Sequence, residues 1–426
     1  MKYKLFLAFS IFGFGLYAQS DIQLEQQIEN IEDKVITWRR DFHQNPELSN
    51  REFKTAEKIA AHLERLGMKV QTEVGKTGVV GILKGKNEGK TVALRADIDA
   101  LPVTERNDLP FKSEVTTEFL GAETGVMHAC GHDTHAAILM GVAEILSNHK
   151  DKINGTVKFI FQPAEEGPPP GEEGGAALMI KEGVLTNPDV DAIFGLHIDS
   201  EVPVGTITYK PEGTMAAVER FVINVKGKQT HGSQPWSGID PVMISAKIID
   251  GLQTIISREA KLTDAAAVIT VGKISGGVRF NIIPESVEMI GTVRTLDPAM
   301  KELILRRMNE MVPAIAEAYN AKATIKIENK TSITYNDPEL TKKMLSTLQK
   351  VAGSENVKLV KATTGGEDFS FFQEKVPGLY FFLGGKPLNS DKAAPHHTPD
   401  FFIDESGLLL GVKAMSQLAL NYLNQQ

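Results

Sequence analysis

The chain has 426 residues, more than one hydrophobic core usually holds, so the length predicts two domains. Hydrophobic residues make up 42% and charged residues 23%, the composition of an ordinary soluble globular protein. The net charge of −8 is spread along the chain, and the lack of a basic block argues against binding to nucleic acid.

The N-terminus has the composition of a secretory signal. Residues 1–4 contain two lysines, residues 5–16 are almost wholly apolar, and Ala18 then offers a small residue for cleavage. The apolar run is too short for a comfortable membrane span, although an uncleaved anchor is the alternative. We therefore predict a signal peptide over 1–18 and an exported protein, periplasmic or secreted, whose mature chain begins near Gln19. With one cysteine, the chain can form no internal disulfide.

Helices and short strands alternate along the first half of the mature chain. Apolar residues recur at helical spacing over 21–42 and 52–66, and β-rich runs follow at 79–83 and 91–94. This alternation predicts an α/β layer with a mostly parallel sheet. The remaining elements predicted here are helix 133–147, strand 156–161, a Gly/Pro/Glu loop over 163–175 and strand 192–196.

The order of elements changes after about Gly213. The pattern that follows is β-α-β-β-α-β, which is ferredoxin-like and fits one inserted domain. Its predicted members are strand 220–225, helix 241–257, strands 266–274 and 286–294, helix 298–319 and strand 323–327. Helix 337–351, strand 378–383 and helix 405–422 then resume the earlier style.

These elements predict an α/β fold with two domains. A mixed-sheet catalytic domain flanked by helices is expected from 19–213 and 330–426. An α+β ferredoxin-like satellite domain is expected as an insertion over 214–329.

Metal-ligating residue types recur along the catalytic part of the chain. The one cysteine, Cys130, lies in segment 127–135, which also holds three histidines. Downstream come a carboxylate pair (Glu165–Glu166), the isolated His197 and a late pair (His396–His397). Thiolate, imidazole and carboxylate all suit zinc-like divalent ions, so the composition indicates the scattered ligands of one metal centre.

Most of these positions are predicted at or just beyond strand ends. The carboxylate pair follows its strand by a few residues, and His197 is predicted to follow strand 192–196 directly. Cys130 and His132 lie in a glycine-containing turn before the helix that Asp133 is predicted to cap. Because ligands gather at the carboxyl ends of strands in open α/β sheets, this placement predicts a shared site.

The adjacent glutamates predict a division of labour. We expect Glu166 to ligate the metal and Glu165 to take the proton of a metal-activated water. A general base beside a Lewis acid is the minimum equipment for amide hydrolysis. The alternative is a solvated acidic loop, because Glu172 and Glu173 follow soon after.

Taken together, the motifs resemble those of the M20 peptidase family. The resemblance is to the branch that contains hippurate hydrolases, N-acyl-amino-acid amidohydrolases and plant indole-acetyl-amino-acid hydrolases. It covers essentially the whole mature chain, in family order. The matching segments are residues 38–49, 94–102, 127–135, 162–167, 195–197, 227–231, 280–285, 366–369 and 397–401.

This resemblance implies two divalent metal ions per subunit and a set of catalytic roles. Glu165 matches the general base, and His231 matches a satellite-domain histidine that stabilises the oxyanion, sometimes from a dimer partner. Asn281 and Arg294 lie where satellite-domain groups can meet the substrate carboxylate. The implied metal ligands are Cys130, His132, Glu166, His197 and His397.

The resemblance also implies partners and leaves the metal open. The satellite domain provides the family's dimer interface, so a homodimer is expected. The thiolate ligand favours zinc, with manganese, cobalt and nickel as alternatives. The run 168–170 is three prolines, which makes the loop after Glu166 stiffer and longer than the simplest family form and predicts a shaped pocket rim.

Several polar residues near these motifs keep two interpretations each. His128 and His135 either orient a ligand or a carboxylate, or make local structural hydrogen bonds. Asp97 either orients a ligand histidine or ends its strand as a structural acid. Glu367 is a substrate contact or a supporting group, and His396 is expected to be structural beside its neighbour.

The sequence therefore predicts an exported metal-dependent amidohydrolase that cleaves N-acyl amino acids or similar small amides. A dipeptidase or aminopeptidase with the same centre is the alternative within hydrolases, and the two differ in the pocket for the acyl side. A binding protein with a silent centre, or a structural metal site, is a third hypothesis. No ligand or base position is lost, which disfavours it.

Overall fold

The computed structural model describes residues 24–390 and 392–424, so the predicted signal peptide over 1–18 lies outside the described residues. The chain divides into two compact units. The first combines the described residues up to Tyr209 with Asn336–Val360 and the residues from Phe372 onward, and the second combines Lys210–Tyr335 with Lys361–Phe371. Within the described ranges, no helix is both long enough and apolar enough to cross a membrane.

The secondary structure comes in three stretches. The first holds α1 (Glu32–Gln44), α2 (Phe53–Arg65), β1 (Lys69–Val74), β2 (Gly78–Lys84), β3 (Asn87–Asp97), β4 (Thr116–Phe119), β5 (Ala122–Gly125), α3 (His132–Asn148), β6 (Asn154–Gln162), α4 (Gly175–Lys181), β7 (Ala192–Pro203) and β8 (Ile207–Tyr209). The second holds β9 (Glu212–Met215), β10 (Ala217–Lys226), β11 (Thr230–His231), α5 (Pro241–Thr254), β12 (Ala267–Gly276), β13 (Ile282–Ile283), β14 (Ser286–Thr295), α6 (Pro298–Ala318), β15 (Lys322–Thr331) and β16 (Thr334–Asn336). The third holds α7 (Pro338–Ala352), β17 (Val357–Leu359), α8 (Phe369–Gln373), β18 (Gly378–Lys386) and α9 (Leu408–Asn424).

The first unit is built on an eight-stranded mixed sheet in the order β1-β2-β6-β3-β7-β18-β8-β17. Its four central strands, β6, β3, β7 and β18, pair in parallel, and antiparallel pairs lie towards the edges. The central strands are buried almost throughout, because helices pack on the sheet. The predicted mixed-sheet α/β class is confirmed.

Helix α3 is buried on nearly every side, which is why its sequence lacks a polar stripe. It packs against α1, α9 and strand β3, and its first residues lie near the carboxyl end of that strand. This packing fixes the position of the turn that precedes the helix.

Several short elements were not predicted, because their sequences show little hydrophobic periodicity. Strand β1 is an exposed edge strand, and the hairpin β4–β5 is short and mostly polar. Helix α4 follows the Gly/Pro/Glu loop directly and has only seven residues, so its periodicity is too brief to detect.

The second unit has a four-stranded antiparallel sheet in the order β12-β14-β10-β15 with α5 and α6 packed on it. Asp240 caps α5 by accepting from Val242 N at 2.9 Å, and Asp297 caps α6 by accepting from Met300 N at 2.8 Å. Each helix then begins with proline, which favours the first helical position. The predicted β-α-β-β-α-β order is confirmed.

Candidate metal centre

Cys130 and His132 lie on either side of a glycine whose conformation few other residues could adopt. Gly131 has φ of 91°, and a Cβ at this position would lie 2.3 Å from Ile198 Cγ2. Gly131 is the N-cap of α3, so the helix begins at His132, one residue earlier than predicted. The left-handed turn therefore holds a thiol and an imidazole at one end of a buried helix.

The prediction that Asp133 caps this helix holds only in part. Asp133 is the second residue of the helix and not its N-cap, but its Oδ1 accepts from Thr134 N at 2.9 Å. Its carboxylate lies 2.9 Å from Arg39 Nε and accepts a hydrogen bond from His43 Nδ1 at 2.8 Å. Burial opposes ionisation, but the charge of Arg39 and the bond from His43 hold the pKa of Asp133 well below its usual range. The other ring nitrogen of His43, Nε2, lies 3.2 Å from Glu105 Oε1. A buried network of charged and polar side chains therefore holds the start of the helix in place.

The carboxylate pair lies in a strained turn just after β6. Ala164, the residue before the pair, has φ of 53°, which is uncommon for a residue with a side chain. Its N–H donates to the buried Glu52 carboxylate at 2.9 Å, and burial together with the charge of Asp99 raises the pKa of Glu52 to about 8. The N–H groups of Glu165 and Glu166 donate to the two oxygens of Asp99, each at 3.1 Å. The turn is therefore held by two buried acids from outside the loop.

His197 lies inside strand β7 and not directly after it, so the predicted strand end is wrong. Pairing of β7 with β3 stops at Gly195, but pairing with β18 continues to Pro203. His197 thus lies where the parallel pairing with β3 has ended. Its Nδ1 lies 2.6 Å from the carbonyl of Ile198, so Nδ1 carries the proton, and Nε2 lies 3.4 Å from Cys130 Sγ.

His397 is the late histidine that reaches the same place. It has φ of 60°, and its backbone N–H donates to Ala129 O at 2.8 Å. Its Nε2 lies 3.0 Å from Glu166 Oε1 and 3.3 Å from Cys130 Sγ. The bond with Glu166 raises the pKa of His397, and burial opposes this.

His396 has the structural position that the sequence analysis expected. Its Nε2 accepts the backbone N–H of Ser200 at 3.2 Å, and its ring packs against Phe401. Burial lowers the pKa of His396 to about 3, so the ring is neutral.

The residues predicted as metal ligands converge in the first unit. His132 Nε2 is buried without a hydrogen-bond partner among the described residues, and it lies 3.9 Å from Glu165 Oε2 and 4.0 Å from Glu166 Oε1. Two ligands of one zinc ion, each at about 2.1 Å, lie roughly 3.4 Å apart, so these spacings and the thiolate–imidazole–carboxylate set fit divalent ions. Three groups drawn only from the predicted ligands and Glu165 have ligand atoms within 4.8 Å of one another: Cys130, His132 and His197; Cys130, Glu166 and His397; and His132, Glu165 and Glu166.

Asp99 organises this centre, and the sequence analysis gave it no role. It accepts from Ser49 Oγ at 2.7 Å and lies 3.2 Å from His132 Nδ1, in addition to holding the N–H groups of the carboxylate pair. Burial opposes ionisation, but the bond and charge of His132 lower the pKa of Asp99. Because Nδ1 donates to Asp99, the lone pair of His132 Nε2 is directed into the centre. The sequence signal that could have identified Asp99 is the pair of acidic residues, Asp97 and Asp99, spaced two apart at the end of β3.

Asp97 orients a histidine, but not one of the predicted ligands. It lies 2.5 Å from His135 Nδ1 and 2.7 Å from Arg95 Nη1. The opposite nitrogen of His135 accepts the N–H of Ile198 at 2.8 Å, so the ring bridges β3 to β7 behind the centre. His128 is buried, and neither ring nitrogen has a hydrogen-bond partner among the described residues.

The residues predicted to meet substrate from the satellite domain lie in the second unit. His231 is exposed on β11, and its Nδ1 accepts the backbone N–H of Ser233 at 3.1 Å. Asn281 lies just before β13, the partner strand of β11, and its Oδ1 is buried without a partner among the described residues. Arg294 on β14 is half-buried, and burial lowers its pKa. Glu367 belongs to the same unit and accepts from Phe369 N at 2.8 Å.

Comparison with known proteins extends over most of the chain. A model of the family described as peptidase family M20/M25/M40 matches residues 93–421, which include every residue predicted for the site. The chain is 42% identical to thermostable carboxypeptidase 2 of Saccharolobus solfataricus over 408 residues, covering 95% of this chain and 99% of that protein. It is 37% identical to N-acetylcysteine deacetylase of Bacillus subtilis over 390 residues, covering 91% of this chain and 96% of the relative.

The fold is similar to solved structures as well. The YXEP protein of Bacillus subtilis, described as a dinuclear metal-binding peptidase of the M20 family, superimposes with a TM-score of 0.78. The two sequences are 35% identical, and the match covers 93% of this chain and 100% of the YXEP chain.

Proposed function

The chain belongs to peptidase family M20/M25/M40 and is a metal-dependent hydrolase of linear amides, and we propose that it hydrolyses N-acyl amino acids to a carboxylate and a free amino acid. The relatives named above support this choice, because a carboxypeptidase and an N-acetylcysteine deacetylase both release an amino acid that carries a free carboxylate. The observation that carries the proposal is the convergence of five metal-ligating side chains beside the carboxylate of Glu165.

Cys130, His132, Glu166, His197 and His397 are the residues that would hold two divalent ions, and we propose zinc because a thiolate belongs to the set. When bound, such ions act as Lewis acids that polarise the scissile carbonyl and make water more acidic. The buried thiol alone is a poor nucleophile, because burial and the nearby carboxylates raise the pKa of Cys130.

We assign the general-base role to Glu165. Its backbone N–H is fixed by Asp99 at 3.1 Å, and its Oε2 lies 3.9 Å from His132 Nε2, at the edge of the ligand cluster. The carboxylate is only 10% exposed, so bulk water does not compete for it. Oε2 would accept the proton of the attacking water and deliver it to the leaving amine.

We assign the oxyanion and carboxylate contacts to the second unit. Since Nδ1 of His231 accepts from Ser233, the neutral ring carries its proton on Nε2 and can donate it to an oxyanion. Arg294 pairs with no acidic side chain among the described residues, although it is half-buried, so a substrate carboxylate would supply its counter-charge.

Replacing Glu165 with Gln tests the catalytic proposal. We expect E165Q to keep its metal content and fold but to lose 10²–10⁴-fold in kcat on an N-acyl amino acid, because general acid–base catalysis is worth about that much. Glu173→Gln, an exposed change in the following loop, is the control. Turnover near that of the wild type in metal-loaded E165Q would refute the role.

A substrate panel tests the reaction class. N-acetyl, N-benzoyl and aminoacyl derivatives of one amino acid would be compared after metal analysis and reconstitution. We expect turnover without a free amino group on the acyl side. A strict requirement for that amino group would instead identify a dipeptidase or aminopeptidase.

We also propose that the protein acts outside the cytoplasm as a homodimer. The composition of residues 1–18 supports export, and N-terminal sequencing of the mature protein tests it. Trp236 (79% exposed), Val278 (92%) and Phe280 (96%) are the most exposed of several large apolar side chains on the second unit, and coverage by a partner would remove this apolar surface from water. Sedimentation of the wild type at micromolar concentration tests the dimer, and a monomer would contradict it.

A further inference from the structure

A cavity of about 530 Å³ lies within the first unit next to the candidate centre. Glu166, a proposed metal ligand, forms part of its wall. A group that filled this cavity would therefore place the atoms attached to it beside the reacting amide. The volume falls in the range of pockets that bury small organic ligands and is far larger than an acetyl group needs.

Four segments from different parts of the chain line the cavity, and the first of them contributes Leu48, Ser49 and Arg51. Ala100, Leu101 and Pro102 follow strand β3, the proline run 168–170 follows the carboxylate pair, and Phe119 and Leu120 come from the β4–β5 hairpin. These lining residues are apolar, and the prolines are also stiff. The part of the wall that these residues form is therefore suited to an apolar group.

The tip of the hairpin carries a residue that folding does not favour there. Phe119 pairs with Ala122, so Leu120 and Gly121 form a two-residue turn, with φ of 52° and 82°. Both values are positive, and such turns favour Asn, Asp or Gly at the first position. Leu120 is also 74% exposed, so burial in the fold does not compensate for the strain. A strained, exposed leucine on a cavity wall points to a ligand contact.

The charges in the wall argue against a charged ligand group. Arg51 is the only cation among the lining residues, and it is already bound to Glu172 at 2.6 Å. Glu118 and Glu166 are the acidic members of the wall. The proposed metal ions would neutralise Glu166, so Glu118 is the remaining negative charge of the wall. A carboxylate near Glu118 would find no free cation among the lining residues, whereas an uncharged group needs none.

We propose that this cavity binds the acyl group of the substrate, that it selects bulky, uncharged, apolar acyl groups such as aryl or medium-chain acyl, and that Leu120 is a specificity-determining residue. This inference rests on the proposed function, since it assumes that the centre beside Glu166 cleaves N-acyl amino acids. Leu120 contacts the acyl group at a distance from the reacting bond, so it affects binding more than chemistry.

A chain-length series with two leucine variants tests the proposal. Leu120→Asn removes the apolar side chain but suits the positive φ, so the hairpin should keep its turn. Leu359→Asn changes a leucine of β17 that is 66% exposed and does not line the cavity, and it serves as the matched control. The substrates are N-acetyl, N-butanoyl, N-hexanoyl and N-benzoyl derivatives of one amino acid, with N-succinyl as the charged acyl group.

For the wild type we expect kcat/KM to rise about fourfold per added methylene along the straight chains, the value of burying one methylene. N-succinyl should be the poorest substrate of its size. L120N should lose about tenfold in kcat/KM on the hexanoyl and benzoyl substrates, mainly through KM, and remain within twofold on N-acetyl. L359N should match the wild type throughout.

Several results would overturn the inference. They are a wild type with no preference along the series, an L120N variant with unchanged preference, or one that loses equally on N-acetyl and N-benzoyl substrates. Failure of the proposed function has a different signature, because the wild type would then hydrolyse none of the N-acyl series and would require a free amino group.

Discussion

Replacing Asp99 with Asn should weaken the metal centre without touching a predicted ligand. Asp99 Oδ1 accepts from Glu165 N at 3.1 Å and lies 3.2 Å from His132 Nδ1. Oδ2 accepts from Glu166 N at 3.1 Å and from Ser49 Oγ at 2.7 Å. The substitution keeps the shape of the side chain but turns one acceptor oxygen into an NH₂ donor.

The cost can be worked out from these four contacts. The best orientation of the new asparagine keeps its oxygen towards His132 and Glu165, and Ser49 can rotate its hydroxyl to accept from the new amide. The N–H of Glu166 then faces another donor and stays unsatisfied, which costs about 1–3 kcal/mol of stability. Loss of the negative charge also makes His132 a weaker ligand, and removal of such a supporting partner typically lowers metal affinity 10–100-fold.

Chelator competition on purified D99N measures the affinity, and denaturant unfolding of the metal-free protein measures the stability. Asp151→Asn, an exposed aspartate after α3, is the control and should change neither quantity. A D99N protein with metal affinity within twofold of the wild type would refute the argument that Asp99 directs His132 and the carboxylate pair. Reduced stability with unchanged metal affinity would show that Asp99 serves the fold alone.

Two further predictions concern the one thiol and a buried histidine. Cys130 should react with thiol reagents at least ten times faster after metal removal. Burial raises the pKa of this thiol, so the reaction rate of the metal-free protein should rise with pH. Equal rates with and without metal would contradict the role of Cys130 as a ligand. His62 donates from Nε2 to Met140 O at 3.1 Å, and burial lowers its pKa, so below about pH 6.5 the unfolded chain takes up a proton that the folded chain refuses. The unfolding free energy should therefore fall as pH drops below about 6.5. Urea unfolding at several pH values should show that this free energy depends less steeply on pH in His62→Gln than in the wild type, and an equal dependence on pH would contradict the argument.

Most of the fold could be predicted because its signals are local. The α3 and β6 segments are long apolar runs, and the β-α-β-β-α-β order of the second unit follows from alternating periodicities. The residues proposed as ligands were also recognisable, because thiol, imidazole and carboxylate groups are rare in such combinations next to strand ends.

The supporting groups could not be predicted because their partners are distant in sequence. Glu52 holds the N–H of Ala164, and Asp99 holds those of the carboxylate pair, through contacts that depend on the sheet order. The position of His197 was misjudged for a related reason, since the length of β7 is set by its pairing with β18 and not by its own apolar run.

The energetics of the centre favour a catalytic site over a structural one. Asp97, Asp99, Glu165 and Glu166 bring four carboxylates around the ring of His132, and like charges this close repel one another unless cations neutralise them. Ala164 and His397 add backbone strain of about 1–3 kcal/mol each. The hydrophobic core of the first unit is an extensive cluster built on the sheet and on α3 and α9, and most of its members are not in the centre, so the stability of the fold has a source other than this arrangement. A strained, charge-dense cluster that the core must stabilise is what a site for chemistry requires, whereas a structural ion would be expected to relieve strain.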